Sequence, residues 1–164
     1  MGKNIQIGLL KLIFLLIIGK TVAQEEPKII EIIQAGGSTQ DQFNFPGANI
    51  LVKKEGTRVH LLHEGALIKS DLSYFYPKQN FFRANGEVVF TQGDTLKMIC
   101  DQIEYNGNTK LAKAWGKVVL ERPDMNLKTD TLHLDRFKSE AFYNSFGTII
   151  DEKRRLTSIR GRYF

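Results

Sequence analysis

The chain is poor in cysteine, in helical periodicity and in recognisable chemistry. Cys100 is the only cysteine among 164 residues, so no internal disulfide can form and the sequence is not a disulfide scaffold. In Leu96-Lys97-Met98-Ile99-Cys100, alternation groups the thiol with Leu96 and Met98, which predicts a small buried apolar residue. A nucleophilic thiol needs a neighbouring base, and the sequence points to none. After Ala23 no stretch keeps apolar residues at helical spacing over three turns, which argues against a helical body. A surplus of positive charge is also missing. The formal charge is +5, but Lys3, Lys11 and Lys20 lie in the first 23 residues, which hold no acid; without them +2 remains and no basic stripe is left. Nucleic acid is not an expected partner on these grounds.

Catalytic and metal-binding sets are absent by the same reading. His60 and His63 are three apart, an odd spacing that puts them on opposite faces of a strand. His133 falls on a polar strand face. Asp71, Asp101 and Asp130 could suggest paired carboxylates, but they recur once per repeat. They are expected to cap turns or accept backbone N–H groups rather than to act as a glycosidase pair. Gly36-Gly37-Ser38 lacks the lysine and following helix of a phosphate loop. Lys153-Arg154-Arg155 reads as a solvated turn. No catalytic residue, metal or cofactor is expected.

Long apolar runs are confined to the start. Lys3 precedes an apolar stretch, Ile5 to Ile18, interrupted by Lys11, and Thr21-Val22-Ala23 supplies short residues before a cleavage point. This is the pattern of an export signal over residues 1–23. The alternative is a retained anchor, for which the run is shorter than the ~20 residues of a membrane span. Residues 24–48 read as a linker, within which Ile29, Ile30, Ile32 and Ile33 could form a strand or a short helix.

What the chain does have is a repeat. Gly56, Gly86, Gly116 and Gly147 return at about thirty residues, a period that marks a stacked supersecondary unit. Matching runs lead into three of them: Phe82-Arg83-Ala84-Asn85-Gly86, Ala112-Lys113-Ala114-Trp115-Gly116 and Tyr143-Asn144-Ser145-Phe146-Gly147. Strand-like runs follow, and turn signals such as Gln92-Gly93-Asp94 and Asn106-Gly107-Asn108 separate them. Glycine inside a strand marks a bend, bulge or close approach, so a bend repeated in every unit should curl the sheet into a trough.

Alternation assigns the faces. Leu72, Tyr74, Val88, Phe90, Leu96, Met98, Ile103, Tyr105, Val118, Leu120, Leu127, Leu132 and Leu134 are expected to line one dry face. Glu87, Lys97, Gln102, Glu104, Lys113, Lys117, Thr131 and His133 fall on the wet one. Two dry faces opposed make an all-β sandwich or jelly roll about 10 Å thick. Some of the many aromatics are expected to line a groove for an apolar ligand.

Ala112-Lys113-Ala114-Trp115-Gly116-Lys117-Val118-Val119-Leu120, followed by Leu127-Lys128-Thr129-Asp130-Thr131-Leu132-His133-Leu134, resembles the repeat of the OstA-like (LptA) family of periplasmic lipopolysaccharide transport proteins. The unit from Ala84 to Tyr105 resembles it again, and the likeness covers about residues 50–164. The resemblance implies a β-jelly roll over residues 49–164 whose slit-like interior holds the acyl chains of lipopolysaccharide. It further implies a periplasmic location and joining through sheet edges to other transport jelly rolls or to copies of itself, bridging inner and outer membranes. The alternative is an interaction module, such as the amino-terminal part of an LptD-like translocon, that pairs with other β-domains and carries no lipid. The chain stops at Phe164, partway through a fourth unit, as a fragment or a short protein with an unpaired last strand would.

Overall fold

A computed structural model describes residues 28–163. The expected export signal lies outside the described residues. The fold is antiparallel β almost throughout. Fourteen strands follow in chain order: β1 (Glu31–Gln34), β2 (Gly37–Thr39), β3 (Asn49–Val52), β4 (Val59–His63), β5 (Ala66–Ser70), β6 (Leu72–Tyr76), β7 (Phe81–Gln92), β8 (Leu96–Asn106), β9 (Leu111–Arg122), β10 (Met125–Asp135), β11 (Glu140–Tyr143), β12 (Gly147–Ile150), β13 (Arg155–Ser158) and β14 (Gly161–Tyr163). One 3-10 turn, Pro77–Gln79, joins β6 to β7. Ile32 and Ile33 fall in strand β1, Ile30 lies buried just before it, and Gly37-Ser38 opens the second strand.

Four long hairpin-linked strands, β7 to β10, form the spine, and each is bent in the middle. On β7, Asn85 pairs with Gln102 and Val88 with Cys100, so Gly86 and Glu87 together oppose Asp101. On β9, Trp115 pairs with Thr131 and Val118 with Thr129, so Gly116 and Lys117 oppose Asp130. Both residues of each bulge are left-handed: Gly86 at φ 81° and Glu87 at 43°, Gly116 at φ 76° and Lys117 at 51°. Glycine adopts this region without the Cβ clash that penalises other residues, which is why it recurs there.

The bulge line divides the sheet into two layers. In the first, the halves of β7 to β10 flanking the turns 93–95 and 123–124 extend through β5, β4 and β1 on one side and β12 and β13 on the other. In the second, the other halves extend through β6, β3 and β2 and through β11 and β14. The layers close on one core that includes Leu61, Ile68, Phe90, Met98, Phe82, Ile103, Tyr105 and Leu132. The sheet therefore folds over on itself, as the repeated bend predicts.

The four repeat glycines do three different jobs. Gly86 and Gly116 make the bulges. Gly56 sits at φ 81° in the turn closed by the Lys54–Thr57 bridge, with open space where a side chain would be. Gly147 opens β12 at ordinary φ, and a Cβ there would run into the Tyr143 ring. In the last unit the bend has become a break, with β10 pairing first with β12 and then with β11.

Candidate functional site

The interior between the layers is the candidate site. Of the thirteen residues expected to line it, Val88, Phe90, Met98, Ile103, Tyr105, Val118, Leu120, Leu127, Leu132 and Leu134 are buried, and Leu96 packs half-buried against them. Leu72 and Tyr74 point the other way; Ser73 and Phe75 take the inward places of β6. The reason lies in the phase of the repeat. Strand alternation slips at each acid, so the second and fourth residues after it face inward: Ser73 and Phe75, Ile103 and Tyr105, Leu132 and Leu134. Leu72 and Tyr74 are the first and third after Asp71.

The repeated aspartates do not cap turns. Asp71 takes the guanidinium of Arg58 at 2.8 Å, while Asp101 and Asp130 are exposed along the outer side of the bend. Asp71 and Asp101 lie over the bare Cα atoms of Gly86 and Gly116. Cys100 is buried, and burial pushes its thiol up to about 12, which leaves the nucleophilic thiolate scarce. Among the described residues no group of histidine, cysteine or carboxylate side chains is placed to share a metal ion.

Away from the bulge line the layers part, and a cleft of about 180 Å³ opens between them. Phe90, Leu96 and Leu120 line it from the first layer, Leu134, Ala141 and Tyr163 from the second. Two cationic clasps bracket it. In the first, Arg136, at the end of β10, reaches across to the other layer. Its guanidinium donates to Gln92 Oε1 at 3.1 Å, to the carbonyls of Glu64 at 3.2 Å and His63 at 3.4 Å, and within its own layer to the Tyr105 hydroxyl at 2.6 Å. Arginine cannot accept, so the Tyr105 O–H is free to donate to His63 Nδ1 at 2.7 Å. His63 Nε2 then donates to the Lys28 carbonyl at 2.9 Å, tying the start of the described chain to the core. Burial pushes the Tyr105 phenol above its ordinary range, against the pull of Arg136. Beside this chain Lys110 pairs with Glu64 at 2.9 Å and holds that carboxyl below its usual range.

The second clasp stacks Arg122 of the first layer over the Tyr163 ring of the second, 4.7 Å from the centroid. The Tyr163 hydroxyl donates to Asp124 at 2.9 Å and lowers that carboxyl. Arg122 Nε is buried and has no hydrogen-bond partner; its nearest acid oxygen, on Asp124, lies at 3.4 Å outside bonding geometry.

Sequence reasoning missed both clasps, since an arginine at the end of a strand, as Arg122 is, or just past one, as Arg136 is, carries no periodic signal. It also missed Phe82, although Phe82, Ala112 and Tyr143 stand four places before successive glycines and are all buried.

A folded-over antiparallel sheet with a dry interior and a cleft between its layers defines the β-jelly-roll class. Within that class the chain belongs to the OstA-like family, whose model, described as OstA-like protein, matches residues 30–164. The family is one of lipid transport and binding rather than catalysis. The match takes in β1 and β2, upstream of the repeat that carried the resemblance. No curated protein matches the chain.

Proposed function

We propose that this domain carries an amphipathic lipid of the lipopolysaccharide type through the periplasm, with acyl chains between the layers and the polar head outside. The observation that carries this reading is the cleft: a gap between the layers in which Phe90, Leu96, Leu120, Leu134 and Ala141 meet a polar lining that includes Arg122, Arg136, Asp135 and Glu140. Each acyl CH₂ buried there contributes about 0.8 kcal/mol. Arg122 adds a positive charge to the cleft lining, for which a phosphorylated head group would compete with Asp124. The gap is smaller than the roughly 300 Å³ at which small-molecule sites begin. It admits part of a chain, and full loading requires the layers to part. Exposed edge strands, β1 at one end and β13 at the other, suit edge-to-edge pairing with other transport jelly rolls or further copies.

The packed interior favours a second reading, a module that pairs through its edges and holds no lipid. Photo-reactive residues at Leu96 and Leu134 on the cleft and at Val88 deep in the core separate the two. Lipid carriage requires cross-links to lipopolysaccharide from all three positions. Cross-links from none of them, with edge pairing intact, leave the pairing module.

A further inference from the structure

The outward face of β6, β7 and β8 carries a second groove, with the sheet between it and the core. It encloses about 600 Å³. Aromatic rings form one side. Phe45, from the loop between β2 and β3, packs on Tyr74 with centroids 4.4 Å apart, and Tyr76 meets Phe81 at 5.8 Å. Side-chain amides form the rest: Asn85 and Gln102 are paired neighbours on β7 and β8, and Gln79 stands at the rim.

Two properties mark this as a built surface. The Phe45 wall is fixed in place. The Asp41 carboxylate accepts the backbone N–H groups of Phe43 at 3.1 Å and Asn44 at 2.9 Å and the Asn44 amide at 2.7 Å, while the Asp41 carbonyl accepts Phe45 N–H at 2.8 Å. Most of the polar groups are also unused; the Asn106 amide oxygen, which accepts the N–H groups of Asn108 and Thr109 at 3.0 Å, is engaged. Among the described residues, the amides of Gln79, Asn85 and Gln102 and the hydroxyls of Tyr74 and Tyr76 make no side-chain hydrogen bond. The groove's one cation, Arg83, is paired with Glu104.

We infer that this groove binds an uncharged carbohydrate chain. Flat rings receive the C–H faces of sugar rings. Amides both donate and accept, as sugar hydroxyls do. The other ligand classes fit less well. A phosphorylated ligand needs a cation free to meet it, and Arg83 is occupied by Glu104. An added peptide strand needs an open sheet edge, but β7 is hydrogen-bonded on both sides. An acyl chain would bury the unused amides without partners.

The same chemistry is offered by the saccharide portion of a glycolipid and by an amino-sugar wall polymer. The test titrates ¹⁵N-labelled protein with two acyl-free, uncharged probes: a neutral outer-core oligosaccharide of lipopolysaccharide, free of phosphate and acidic sugars, and N-acetylchitohexaose. The expected result is saturable movement of the Asn85 and Gln102 side-chain amide signals with at least one probe. The probe that moves them identifies the source. Gln102→Ala should weaken that binding at least tenfold with the thermal midpoint unchanged, and Tyr74→Ala, which also removes the ring on which Phe45 packs, should weaken it at least as much. Absence of any shift with both probes at millimolar concentration overturns the inference. So do shifts that map to the cleft between the layers, or wild-type affinity in Gln102→Ala. Neither probe can enter the acyl cleft as cargo, so the result stands apart from the fate of the lipid reading.

Discussion

At the scale of the residue, the repeat is a backbone requirement before it is a pattern of side chains. Gly116 holds φ 76°, and a Cβ placed on it would stand 2.6 Å from Asp101 Oδ2 and 2.8 Å from Asp101 Cβ. Gly116→Ala therefore meets two penalties. The left-handed backbone costs about 1–3 kcal/mol, and Asp101 must also be displaced. Gly93 separates these effects, since it holds φ 55° with nothing within 4 Å of its would-be Cβ. In urea unfolding, Gly116→Ala should lose more stability than Gly93→Ala. Adding Asp101→Gly to Gly116→Ala should recover the difference but not the whole loss. Equal losses in the two single variants would show that Asp101 is not pressed against the glycine.

At the scale of the element, β6 shows how phase decides which side chains reach the core. Phe75 and Ser73 are buried, whereas Leu72 and Tyr74 point outward and Tyr74 lines the outer groove. Phe75→Ala should cost about 3–5 kcal/mol, the usual loss for a buried ring, and Leu72→Ala under about 1 kcal/mol. Matched losses at the two positions would mean that the strand sits one residue out of register. Most of the fold could be read from the residues by this kind of reasoning. The long strands, the turns between them and eleven of the thirteen expected interior positions follow from period-two alternation around a glycine every thirty or so residues. Leu72 and Tyr74 were misplaced because leucine and tyrosine in an alternating run look inward from either phase, and Ser73 gives no apolar signal. The clasps were illegible for another reason. Arg136 meets Gln92, Glu64 and His63 across 44 or more residues of chain, and only the folding-over of the sheet brings them together.

At the scale of the whole molecule, the two layers are continuous through the bulge line and separable opposite it. Along the bend they share four strands; on the open side the hydrogen bonds from Arg136 cross between them. Arg136→Ala leaves the carbonyls of His63 and Glu64 and the Tyr105 hydroxyl short of a donor, at about 1–3 kcal/mol for each group left dry. The loss should be local before it is global. In hydrogen exchange, the amides of residues 61–64 and 103–106 should lose protection, while those of 98–100, beside the bend, keep theirs. Arg136→Lys retains the charge but not the planar fork, so it can satisfy only part of the set and should fall between the alanine variant and the parent. Full protection in Arg136→Lys would show that the charge alone closes the open side. If lipid enters by parting the layers, the alanine variant should also take up lipopolysaccharide faster than the parent, since the same bonds must break for the first acyl chain to pass Phe90 and Leu134.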